Sequence, residues 1–187
     1  RLLPREGLVS VNHRLNILGY LDLSEFGEKY ANSANAGHAD LVAALEWIRD
    51  NIAAFGGDPG NVTLFGQSGG GEKIQDLMNI PAADGLFHKG IIQSGATKFT
   101  YSKADGGPLV RAMLDYLGLR ETEAEQLEIL PYPRLVEAYK AVARACFKKN
   151  GYLGCSPAVN GWYLGTPQET GFTEHARTIP LMVGSVM

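Results

Sequence analysis

Asn61-Val62-Thr63-Leu64-Phe65-Gly66-Gln67-Ser68-Gly69-Gly70-Gly71 decides how this chain is read: an apolar, β-branched run stops in glycines with one serine among them. Gly66-Gln67-Ser68-Gly69-Gly70 fits G-x-S-x-G, the nucleophile elbow, in which a sharp strand-to-helix turn lifts a serine Oγ clear of a sheet. The flanking glycines are expected to supply the unusual backbone of that turn. The pattern is common, so its surroundings carry the argument. Val62 to Phe65 reads as the strand before the turn, and Glu72 to Met78, with Ile74, Leu77 and Met78 on one face, as the helix after it. Two phosphate-binding readings compete for the same glycines and fail. Gly66 and Gly71 have the spacing of a P-loop, but the lysine comes one position late at Lys73, and Ile74 stands where a magnesium-binding hydroxyl is needed. No dinucleotide fingerprint fits, because position 74 is isoleucine. Ser68 is therefore the candidate nucleophile, against a plain serine in a tight turn.

Working outward toward the N-terminus, Leu41, Ala44, Leu45, Ile48, Ile52 and Phe55 recur at three and four residues, which predicts a helix over Ala36 to Phe55. Gly56-Gly57 ends it and Asp58-Pro59-Gly60 turns the chain into the serine strand. Before it, Leu8 to Asn12 reads as a buried strand whose exit carries His13, Arg14 and Asn16. A buried Arg14 would require a carboxylate. Gly19 to Asn35 reads as a surface loop with a short helical turn. Strand, helix, strand predicts a parallel crossover.

Toward the C-terminus, Pro81 ends the elbow helix, Ala82 to His88 reads as loop, and Gly90 to Gly95 as a second short buried strand. Pro108 suits the first residue of a helix over Leu109 to Leu117 that stops at Gly118. Thr122 and Glu125 form a capping box opening a helix to Leu130. A third helix near Pro133 is expected to bury Leu135, Val136, Tyr139, Val142, Cys146 and Phe147. Asn150 to Thr170 reads as loop and Ile179 to Gly184 as the last core strand. The fold class predicted is α/β, with a mostly parallel sheet and helices on both faces. The core covers residues 8–96 and 179–187, and a helical insertion at about 105–150 is expected to shape the substrate pocket.

The composition narrows the function. With 187 residues, 45% hydrophobic and 20% charged, the chain can bury a real core, and its formal net charge of −3 offers no basic surface for nucleic acid. No apolar run reaches bilayer length, so no membrane partner is expected. Cys146 and Cys155 are too few for a disulfide scaffold and lack zinc spacing; both are read as free thiols, Cys146 in a helix core. Neither a metal nor an organic cofactor is expected. The chain begins at Arg1 and stops at Met187 inside or just after a strand-like run, and is expected to be an internal piece of a longer protein. The compartment is left open, with the cytoplasm slightly favoured.

A serine hydroxyl needs a histidine base, which in turn needs an acid. Only His88 and His175 follow Ser68. His88 sits too close behind the elbow helix; His175, with Glu169 upstream as acid, would make a compact triad, against the reading of a solvated helix. The chain resembles the type B carboxylesterase family, which includes the cholinesterases and the bacterial para-nitrobenzyl-type esterases. The resemblance rests on Val11-Asn12-His13-Arg14-Leu15, Asn35-Ala36-Gly37-His38-Ala39-Asp40, Asn51-Ile52-Ala53-Ala54-Phe55-Gly56-Gly57-Asp58-Pro59, the elbow and Gln93-Ser94-Gly95. It is dense from Val9 to Ala96, then thins to Ser156-Pro157 through Tyr163-Leu164 and Ile179 to Gly184. It implies an α/β-hydrolase, incomplete here, that hydrolyses a small carboxylic ester with Ser68 as nucleophile and the Gly69 N–H as one oxyanion donor. It also implies that the glycine-rich oxyanion loop precedes this chain, while the triad's acid and histidine follow it. The remaining part of the same esterase is thus the implied partner, and the chain alone is expected to be inactive. Gln67 and Gly69 stand where the family usually has glutamate and alanine, and Asn160 where it commonly has aspartate. The alternative is a catalytically silent esterase-like binding domain, which commonly lacks the serine.

Overall fold

The computed structural model describes residues 7–95, 101–151 and 155–186, without the side chains of 101–105. Ala96, Met187 and positions 152–154 of the expected loop lie outside the described residues. In chain order the regular elements are α1 (Asn16–Tyr20), α2 (Ala36–Asn51), β1 (Thr63–Gln67), α3 (Gly69–Leu77), β2 (Lys89–Gln93) and β3 (Tyr101–Ser102). There follow α4 (Lys103–Leu117), α5 (Gln126–Ile129), α6 (Tyr132–Asn150), β4 (Ala158–Val159), α7 (Pro167–Thr170) and β5 (Leu181–Gly184). The contacts divide the chain into two compact units: Arg1–His13 with His38–Thr100 and Gly161–Met187, and Arg14–Gly37 with Tyr101–Asn160. Residues 14–37 thus group with α4, α5 and α6 rather than with the sheet.

The first unit is built on a parallel sheet in the order β1-β2-β5, with Phe65 opposite Ile91 and Ile91 opposite Met182. Parallel neighbours need a crossover, and α3 supplies it between β1 and β2. The amphipathic period of α2 buries Val42, Leu45 and Ile48 against Leu77, Met78, Ile80, Phe87, Tyr163 and Ile179. The helix stops where the glycines predict: a 3-10 turn over Ile52–Phe55 ends at Gly56, φ 84°, whose N–H returns to Ala53 O and Ile52 O. Phe55 itself is exposed. The strand predicted at Leu8 to Asn12 is not formed. This segment is exposed coil, because a strand must pair its backbone groups with a neighbour and, among the described residues, none pairs with it. The sheet is also not covered as parallel sheets ordinarily are, since Phe65, Met182 and Val183 stay exposed.

The second unit packs Leu109, Val110, Met113 and Leu114 of α4 against Leu135, Ala138 and Cys146 of α6 and against Ile17, Leu21 and Leu23. The α4 helix begins five residues before Pro108, which lies inside it. Gly106 and Gly107 explain the difference: a Cβ there would stand 2.2 Å from Asp22 Cβ and 2.5 Å from Glu25 Oε2, so the glycines let the helix start against the 22–25 turn. Tertiary contact outweighs the local helix breakers. The capping pair is likewise Arg120 and Glu123, not Thr122 and Glu125. The Glu123 carboxylate accepts the Arg120 N–H at 2.9 Å and its guanidinium at 3.0 Å, and helix α5 starts only at Gln126. That guanidinium holds the Glu123 carboxyl down to about 2.

Gly19–Asn35, expected as loop, is mostly a run of one-turn helices. Arg14 is exposed and donates to Ala36 O, so no buried carboxylate is called for. Phe147 is exposed, while Cys146 is buried and both thiols are free. Burial pushes the Cys155 thiol up to about 12. A cleft of about 420 Å³ opens within this unit between Ile17, Leu21, Leu23, Leu127, Leu130 and Leu135.

Candidate active site

The elbow is built from three close approaches of backbone to backbone. The ladder continues one residue past β1, Ser68 N–H donating to Gln93 O at 2.8 Å, and α3 begins at once, Glu72 N–H donating to Ser68 O at 3.0 Å. Between those two bonds Ser68 has φ 52° and ψ −121°, far from the left-handed helical basin and held at a cost of about 1–3 kcal/mol. The positive φ therefore sits on the serine itself, not on the glycines beside it. The glycines provide room. A Cβ on Gly66 would lie 2.5 Å from Gly70 C, and one on Gly95 would lie 2.6 Å from both Gly71 Cα and Ser68 O. Gly70 has open space around it, so the last glycine of the motif is not required by packing. Ser68 is exposed, as the turn demands.

Gly69 is the first residue of α3, so its N–H is one of the four amides at a helix start without an intrahelical partner, at the positive end of the helix dipole. An anion formed beside Ser68 can accept from it. A Cβ at Gly69 would meet only Lys73 Nζ at 3.7 Å and Glu72 Oε2 at 3.9 Å, and Lys73 Nζ donates to Gly69 O at 3.2 Å.

Both downstream histidines lie at the opposite end of the sheet. His88, directly before β2, exchanges two bonds with Val62, directly before β1: its N–H donates to Val62 O at 2.8 Å and its Nδ1 accepts Val62 N–H at 3.1 Å. His175 Nε2 accepts Gly85 N–H at 2.9 Å in the loops that precede β2 and β5. Ser68 follows the last residue of β1, and a five-residue parallel strand spans about 16 Å. Among the described residues no hydrogen bond joins Ser68 Oγ to a histidine. Glu169 is engaged elsewhere, its carboxylate accepting the Thr166 hydroxyl at 3.1 Å across the start of α7.

Sequence reasoning missed a buried polar group on the elbow helix. Asp76 is 3% exposed; Oδ1 accepts the Tyr163 hydroxyl at 2.7 Å and Oδ2 faces His38 Nε2 at 3.1 Å. A carboxylate only accepts, so Nε2 is the protonated ring nitrogen. Burial, then the charge of Asp76, push the Tyr163 phenol far above its usual range, which keeps it a donor. Asn79, fully buried, donates to Gly165 O at 2.8 Å. No local signal marks Asp76: at 3.6 residues per turn it falls on the side of the helix away from Ile74 and Met78.

The geometry can be set beside known proteins. Residues 8–187 match the model of the carboxylesterase family. The para-nitrobenzyl esterase of Bacillus subtilis is 40% identical over 180 residues, covering 95% of this chain and 36% of that protein. Liver carboxylesterase B-1 of Rattus norvegicus is 32% identical, covering 95% of this chain and 33% of its own length. Among solved structures, an esterase of anaerobic Clostridium hathewayi, described as able to hydrolyse aliphatic aromatic polyesters, superposes with a TM-score of 0.89 at 59% identity, covering 94% of this chain and 36% of that one. A thermophilic PNB esterase gives 0.80 at 40% identity, with the same coverage. The chain thus spans about a third of the length of these relatives, and the likeness shows an α/β-hydrolase fold. It is a member of the carboxylesterase family.

Proposed function

We propose that the protein hydrolyses carboxylic esters, Ser68 attacking the ester carbonyl to form an acyl-serine that water then releases, with the Gly69 N–H donating to the oxyanion. The observation that carries this reading is the backbone of Ser68, φ 52° and ψ −121° between a parallel strand and a helix N-terminus. A strained residue persists only where its surroundings over-determine it, and here the close backbone approaches at Gly66 and Gly95, which leave no room for a Cβ, do so. A silent binding domain would have no use for that strain. The base and acid come from the remaining part of the esterase, consistent with the two histidines lying at the far end of the sheet, each with one ring nitrogen bonded to a backbone N–H, and with the uncovered Phe65, Met182 and Val183. The chain alone is accordingly inactive. Substrates are small neutral esters, because Gln67 puts no negative charge beside the serine to favour a choline cation. The Clostridium hathewayi relative, described as hydrolysing aliphatic aromatic polyesters, makes such polyesters the first substrates to try.

Full-length protein treated with a fluorophosphonate probe is expected to carry one adduct, mapped to the peptide holding Ser68 and absent in Ser68→Ala. Labelling at another residue, or none in folded full-length protein, refutes the assignment.

A further inference from the structure

We propose that His38, Asp76 and Tyr163 are positioning residues for the nucleophile, anchoring the elbow helix from its far half because its first turn cannot hold itself. The inference rests on Ser68 being the nucleophile. Helix α3 opens with Gly69, Gly70 and Gly71, the residues that lose most freedom on entering a helix, each costing about 1 kcal/mol against alanine. Such a turn resists rotation poorly, yet it must keep Ser68 in a strained conformation and Gly69 N–H aimed at the same point.

The restraint is found two turns on. Asp76 lies eight residues after Ser68, about 12 Å along the axis at 1.5 Å per residue. Both its carboxylate oxygens are engaged, by the Tyr163 hydroxyl at 2.7 Å and His38 Nε2 at 3.1 Å. His38 belongs to α2, and its ring lies parallel to that of Tyr163, centroids 6.1 Å apart and planes 11° apart. The carboxylate is thus held from two directions by two rings that fix one another. Three residues later the helix end is fastened again. Asn79 O accepts Leu164 N–H at 3.0 Å, and its side-chain amide donates to Gly165 O, Thr170 Oγ1 and Gly171 O. Apolar contacts would bury α3 at no greater cost, since replacing a buried charged group by well-packed apolar residues is often neutral or stabilising. Apolar packing, however, tolerates sliding and rotation, whereas hydrogen bonds of defined direction do not. The polar set is therefore suited to orientation rather than to stability.

The test uses full-length protein and reads two quantities: the second-order rate of fluorophosphonate labelling at Ser68, and kcat and KM for a nitrophenyl ester. In Asp76→Ala, shown to be folded by circular dichroism below its own melting temperature, labelling rate and kcat are expected to fall about tenfold or more with KM within about twofold, as small misplacements of reacting groups do. Tyr163→Phe should fall in the same sense by less, and Asp76→Asn, whose Oδ1 can still accept the Tyr163 hydroxyl, should recover part of the loss. If Asp76→Ala does not fold, Tyr163→Phe and Asp76→Asn decide the matter. Wild-type labelling at Ser68 with unchanged rates in the folded variants overturns the positioning role and leaves the esterase reading intact. Absence of labelling in wild-type protein overturns both.

Discussion

At the C-terminal end of β1 the chain holds Ser68 at φ 52° and exposed, whereas at the N-terminal end of the same sheet His88 and His175 each spend one ring nitrogen on a backbone amide, of Val62 and Gly85. One end keeps the proposed nucleophile in a strained turn, with amides left open by a helix start. The other uses groups of equal chemical capability to satisfy peptide N–H donors that would otherwise lack partners. Residue type therefore does not tell a catalytic group from a structural one; the state of its hydrogen-bonding capacity and its position along the strands do.

Four substitutions can break or sharpen that contrast. The largest effect belongs to Ser68→Ala, expected to lower kcat of the full-length enzyme by on the order of 10⁶ while leaving its melting temperature unchanged or raised, since alanine removes only the hydroxyl. Steady-state kinetics with a nitrophenyl ester measure it. Next is Gly66→Ala, whose Cβ would meet Gly70 backbone atoms at 2.5 to 2.9 Å. Backbone cannot yield cheaply there, so a loss of about 1–3 kcal/mol is expected in denaturant unfolding, with slower labelling of Ser68. His175→Ala, at the opposite end, should cost only about 0.5–1.5 kcal/mol, the worth of one hydrogen bond, and leave the labelling rate of Ser68 untouched. A loss of labelling in that variant would instead make His175 the base and undo the contrast. The smallest effect is Gly69→Ala. Its Cβ finds ordinary contacts only and its N–H is retained, so a gain of about 0.4–1 kcal/mol in unfolding free energy is expected, without loss of esterase activity.

How far each end was legible follows from the range of the interactions that made it. The elbow could be read because strand, turn and helix are contiguous, and the period of α2 could be read because its apolar face repeats within one element. Leu8 to Asn12 was misread because its β-rich composition reports a preference for pairing, while pairing itself depends on a neighbour far away in sequence. Pro108 misled for the same reason: what Gly106 and Gly107 make room for near the start of α4 is Asp22 and Glu25, remote in sequence. The His38, Asp76 and Tyr163 group was invisible because its members come from three separate stretches, brought together only by the packing of α2 and α3 with the loop at Tyr163.

By itself the sequence determined the α/β class, the place of the serine turn, the start of α2 and the glycine stop beyond it, since propensity, spacing and glycine punctuation act over a few residues. Tertiary structure decided the rest: that the strain falls on Ser68 and the space on Gly66 and Gly95, that both downstream histidines bond backbone amides at the other end of the sheet, and that a buried carboxylate on the elbow helix meets His38 and Tyr163. Those outcomes depend on atoms that meet across tens of residues, where hydrogen-bond direction and hard-sphere contact, rather than local preference, set the conformation.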